Sequence, residues 1–147
     1  MSNRLAPFLV MLIAFVVGCD RSPEAGSTPL PVLDEATRHI DSFGAHLGNI
    51  TNFTVTTSAE QVAAGLGKFA TSISSWSQEY VMLRAKMLAK GVGDSDEQQI
   101  ARHYRGSCEC FTLLFDHVER ELRTRNDLSA FESDLKRVRE SIQKLPP

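Results

Sequence analysis

The sequence predicts an all-α fold: an antiparallel four-helix bundle whose two long central helices project as a hairpin. Three observations carry that expectation. Apolar residues recur at 3-4 spacing through four separate segments, and no segment alternates apolar and polar positions for more than a few residues. Ser58-Ala59-Glu60-Gln61 and Ser95-Asp96-Glu97-Gln98 each have the form of a capping box, in which serine and glutamine satisfy the orphan amides of a helix start. The breaks between segments are short, which makes sequential helices antiparallel neighbours.

Each element follows from its stripe. Leu33, Ala36, Ile40, Phe43, Leu47 and Ile50 form the first, and the β-branched run Thr51–Thr57 ends it. Val62, Leu66, Phe69, Ile73, Trp76, Tyr80, Leu83 and Met87 form the second without a miss, closed by Lys90-Gly91-Val92-Gly93. The third runs through Ile100, Tyr104, Ser107, Phe111, Leu114, Phe115, Val118 and Leu122. After Asn126-Asp127, a fourth stripe of Leu128, Phe131, Leu135, Val138, Ile142 and Leu145 stops at Pro146-Pro147.

Helix lengths set the expected shape. The second and third helices run about thirty residues, roughly 45 Å, and the outer two fewer than about twenty. Folding back about residue 54 pairs the first helix with 58–75 and sets Gly44 against Ala64 and Gly65, with Gly48 facing the start of helix two. Helix four pairs with 107–124 of helix three, and helices one and three lie diagonally. Residues 76–106 then project with more apolar surface than two helices cover, and such patches mark interaction sites. Trp76, Tyr80, Leu83, Met87 and Tyr104 are the expected partner-binding residues, for an unidentified envelope protein or for self-association. The sequence leaves open the alternative that the Leu30–Val32 segment, or a bend at Thr71–Ser75, buries them within the monomer.

Composition narrows the function classes. The 147 residues hold 16 Lys+Arg against 18 Asp+Glu, with 23% charged and 42% hydrophobic, as in a globular single domain. A net charge of −2, evenly spread, argues against nucleic acid as a partner. The sequence contains no CxxCH, HExxH or GxSxG, and Gly65-Leu66-Gly67-Lys68 lacks the strand that phosphate loops follow. The expectation is a protein that is not an enzyme and needs no cofactor or metal.

Cysteine and histidine carry the alternative. Cys108 falls on the core stripe, and Cys110 on its flank, about 200° away around the helix, so the two cannot bond each other. Cys110 is the candidate for an intermolecular disulfide in an oxidising envelope. His117 and Glu121 form an i,i+4 pair that, with Cys110 and His46, supports a second reading as a redox or metal-handling protein. The mixed charges Asp116, Glu119, Arg120, Glu121, Arg123 and Arg125 read as a solvated face.

The N-terminus is the most specific signal. The uncharged run Leu5–Gly18 spans about 21 Å as a helix, short of the ~30 Å of a bilayer core. It follows Arg4 and ends in Val16-Val17-Gly18-Cys19, which resembles the lipobox of bacterial lipoprotein precursors. The resemblance implies that residues 1–18 are a signal peptide, that Cys19 becomes the acylated N-terminus, and that the protein is held to a membrane by lipid. Asp20 implies retention in the inner membrane, facing the periplasm, over the outer membrane. Residues 19–31, rich in proline, read as a spacer, and 32–147 as the helical domain. In size, anchor and helicity the chain is similar to small accessory lipoproteins such as secretion pilotins.

Overall fold

The computed structural model describes residues 30–146. The expected signal peptide, the expected lipidation and sorting residues Cys19 and Asp20, and the expected spacer as far as residue 29 lie outside the described residues. The described residues are all-α: α1 (Pro31–Asp41), α2 (Phe43–Thr51), α3 (Ala59–Ala89), α4 (Asp94–Leu122) and α5 (Glu132–Gln143), with a 3-10 turn at Leu128–Ala130. None of these helices is long and apolar enough to cross a membrane.

Pro31, assigned to the spacer from sequence, instead opens α1, where a missing N–H costs nothing. The first predicted helix is divided at Ser42, whose hydroxyl donates to the His39 carbonyl at 2.6 Å and competes with the helical ladder. The stripe passes through the division, because Ile40, Phe43, Leu47 and Ile50 are all buried. Ser58 and Gln61 form the expected capping box at α3, with both reciprocal hydrogen bonds at 3.2 Å. All eight predicted stripe residues of α3 are buried. Gly91, at φ +69°, takes the left-handed turn that lets the Val92 amide reach back to the Met87 carbonyl.

The second capping box is not used. α4 begins at Asp94 behind Gly93, with no side-chain cap, and Asp94, Asp96 and Glu97 instead complement the positive end of the helix. Its stripe is buried as predicted from Ile100 to Leu122, save Leu114, which is half-buried.

Packing partners differ from the sequence expectation. α3 is the hub, with α1, α2 and α5 all packed on it, whereas α4 packs chiefly on α1, α2 and α5. The last helix therefore leans mainly on α3, not on α4. The backbones of α3 and α4 stand apart across the interior because their seam holds the bulky aromatic side chains Phe69, Trp76, Tyr80, Tyr104 and Phe111. The pair facing each other across the core is thus α3 and α4, in place of the first and third helices.

The register of the first helix is also shifted. His39 meets Trp76, Asn49 meets Gly65, and Glu35 pairs with Lys86. The fold-back centres nearer residue 57 than 54, because Phe53 tucks beside α3 against Gly65 rather than ahead of its first turn. α1 consequently lies over the second half of α3. Val32, Leu33, Ala36 and Ile40 close the apolar surface expected to project from 76–106.

Neither predicted glycine pairing forms, and Gly65 is approached closely by other groups. A Cβ at Gly65 would sit 2.6 Å from the Asn49 carbonyl oxygen and from the Phe53 ring, while Gly44 and Gly48 have nothing within 4 Å. Gly65→Ala is expected to destabilise the fold by about 1–3 kcal/mol, since a backbone oxygen cannot step aside. Gly44→Ala and Gly48→Ala are expected to stabilise it by up to about 1 kcal/mol through helix propensity. Urea unfolding of the three variants checks this; equal effects would refute the close approach.

Candidate functional site

The five residues expected to face a partner converge inside the molecule. Trp76 and Tyr104 retain 1% of their exposure and Met87 none, and Tyr80 and Leu83 are buried with them. Tyr80 stacks on Tyr104 with ring centroids 3.6 Å apart, and Tyr104 stacks on Trp76 at 4.9 Å. Phe111 meets Trp76 edge-on at 5.2 Å, the T-shaped arrangement that aromatic quadrupoles favour. These residues are therefore buried and not on an open face: α1 covers them, and Trp76, Tyr80 and Tyr104 stack as an aromatic column in the core.

Trp76 and Tyr104 keep their polar atoms satisfied. The Tyr104 hydroxyl lies 3.1 Å from Ser77 Oγ, a buried pair. Burial pushes the phenols of Tyr80 and Tyr104 above their ordinary range. At the outer end, the Trp76 indole N–H donates to the His39 carbonyl at 2.9 Å, while His39 Nε2–H donates to the Trp76 carbonyl at 2.8 Å. His39 also stacks on the indole at 5.6 Å. This reciprocal clamp ties α1 to α3, and sequence reasoning missed it. The signal was a histidine adjacent to Ile40 on the first stripe.

Beside the clamp lies an open cleft of about 690 Å³, floored by Thr71 and Ser75 of α3 and flanked by His46, Lys68, Glu79 and Arg137. Burial lowers the pKa of His46, opposed by the Glu79 carboxylate and reinforced by His39. Ser75 donates to Glu79 Oε1 at 3.2 Å, and Glu79 Oε2 lies 3.4 Å from His39 Nδ1. The carboxylate thus sits between hydroxyl and imidazole. In that order His39 cannot take the proton of Ser75, so the trio is not arranged for nucleophilic catalysis. What the cleft offers is hydrogen-bonding groups of both charges at a shallow surface.

The remaining candidates are dispersed. Among the described residues, no three of His, Cys, Asp or Glu gather in a way that could hold a metal ion. Cys110, His117, Glu121 and His46 are therefore not brought together as a ligand set. Cys108 and Cys110 are both free and half-buried. Burial pushes the Cys108 thiol up to about 11, the Tyr104 hydroxyl offsetting part of the rise and Glu109 adding to it. Cys110 is raised likewise, by burial first and by Glu109 second. At pH 8 a thiol with a pKa of about 11 is ionised in about one molecule in a thousand. Alkylation of Cys108 in the native protein is expected to be slower by about two orders of magnitude than in urea. Comparable rates by mass spectrometry would refute its burial.

One acidic residue departs from the solvated face read from sequence. Glu119 is buried, held by Arg123 Nε at 3.0 Å and Nη2 at 2.6 Å and by Arg139 of α5. Its position gave the signal, since it lies four residues after Phe115 and three before Leu122, on the core side of α4. No protein-family model matches the chain, and no curated protein or solved structure matches it either.

Proposed function

We propose that the chain is a lipid-anchored protein of the bacterial cell envelope that acts by protein contact and not by catalysis. The observation that carries this reading is Val16-Val17-Gly18-Cys19 at the end of an uncharged run that follows a single arginine. In this reading residues 1–18 are removed, Cys19 is acylated, and the proline-rich spacer carries a four-helix bundle whose long helices form an antiparallel hairpin. More than one acyl chain gives firm anchoring, because a single chain binds membranes only marginally. Asp20 keeps the protein in the inner membrane, facing the periplasm. The cleft between His46 and Arg137 is the indentation that the domain offers to side chains of an envelope partner.

The test is acylation at Cys19. Cells expressing the full chain and fed labelled palmitate should label it, and its membrane-fraction form should begin at Cys19. Cys19→Ser should abolish the label and leave residues 1–18 attached. Label that persists in Cys19→Ser, or a mature protein that begins elsewhere, would overturn the reading.

A further inference from the structure

Six large apolar side chains stand exposed among the described residues, and four of them gather at one end of the fold. Val81, Met82 and Leu88, each more than half exposed, lie on the last turns of α3, and Leu30 precedes α1. The ion pair of Glu35 with Lys86 sets the start of α1 beside those turns. The stripe has a structural cause. Val81, Ala85 and Leu88 continue, at helical spacing, the face of α3 that carries Ala70, Ser74 and Gln78. α5 flanks that face farther back, where Arg137 and Ser141 stand with Thr71, Ser75 and Gln78 around a second cleft. α5 ends at Gln143, and on this side of α3 the turns beyond Gln78 leave Val81 and Leu88 open.

We propose that this stripe lies against the lipid surface that holds the anchor, an inference that rests on the anchoring reading above. The chain enters the fold at Leu30, beside the stripe. Residues 20–29 are ten residues, and no chain of that length reaches farther than about 36 Å. The acyl chains therefore tether this end of the fold, while the loop around Val55 sits a full length of α3 away, about 45 Å. A second copy of the chain is the weaker occupant, because three protruding side chains fall well short of the ~800 Å² per partner of a stable interface.

Charge specifies the kind of lipid contact. Lys86 is paired with Glu35 and Arg84 with Glu97, and Lys90 is followed within six residues by Asp94 and Asp96. Among the described residues at this end that balance leaves no cationic patch to select anionic headgroups, so their contact is apolar and indifferent to lipid charge.

The test uses the full acylated chain in phosphatidylcholine vesicles that carry a phospholipid with a photoreactive acyl chain. After illumination, adducts are mapped by mass spectrometry. They should be enriched several-fold on Val81, Met82 and Leu88 over Val55 and Leu113, which are equally open but lie elsewhere. Exchanging part of the lipid for phosphatidylglycerol should leave the pattern unchanged. The double variant Met82→Glu, Leu88→Glu changes only exposed positions and should lose the adducts while Cys19 keeps its acyl mass. Adducts absent from α3, or spread evenly to Val55 and Leu113, overturn the membrane contact and leave the anchoring intact. An unacylated Cys19 overturns the anchoring, and the proposal with it.

Discussion

Trp76→Ala should lower the unfolding free energy by roughly 3–5 kcal/mol, the range for removing a large aromatic from a packed core. For a domain of this size that is a fifth or more of a typical total stability of about 5–15 kcal/mol. The indole touches three rings at once, stacking on Tyr104 and His39 and meeting Phe111 edge-on. Its removal leaves a void between α3 and α4, whose backbones stand too far apart to close it by a small shift. It also breaks one half of the hydrogen-bonded clamp with His39. Trp76→Phe separates the two effects: it retains most of the ring contact and loses the N–H, at an expected cost of about 1–2 kcal/mol. Urea unfolding of both variants is the measurement. A loss under about 1 kcal/mol for Trp76→Ala would refute the buried column, since a residue on an open partner-binding face would give that small change.

Why the sequence could suggest that open face follows from what periodicity encodes. A 3-4 stripe says which side of a helix is buried, and it does so for α3 at every position from Val62 to Met87. It says nothing of what lies opposite. The partner of Trp76 depended on the fold-back, and a shift of a few residues in its centre carries α1 from the first half of α3 to the second. The phase of the stripe also conceals the division at Ser42, because Ile40 and Phe43 stay on one face while the ladder is interrupted between them. The polar sites were the least legible. The His39 clamp and the cleft at Glu79 join segments far apart in sequence, the Glu119 cluster joins α4 to α5, and no spacing within one helix announces such a meeting.

Glu119 shows that a buried charge can be recognised by the variant that makes it worse. Its carboxylate is 4% exposed and lies between Arg123 on its own helix and Arg139 on α5, whose guanidinium also sits 5.7 Å from the centre of the Phe115 ring. Arg139→Ala strips one cation from a carboxylate that cannot reach water. Breaking a fully buried pair costs roughly 3–5 kcal/mol. Arg123 remains and both guanidinium groups are half exposed, so a loss of about 2–3 kcal/mol is expected here. Glu119→Met, of similar volume and uncharged, should stay within about 1 kcal/mol of the wild type, because it removes the desolvation cost together with the ion pair. In the Glu119→Met background, Arg139→Ala should then cost only what the contact with Phe115 contributes, about 0.5–1 kcal/mol. The difference is the coupling that a double-mutant cycle in urea isolates. Half-molar salt should leave most of it in place, since a dry carboxylate is screened far less than a surface one. If Arg139→Ala costs the same in both backgrounds, the carboxylate does not hold α5 to α4, and the hydrophobic contacts of Phe131, Leu135 and Val138 do so alone.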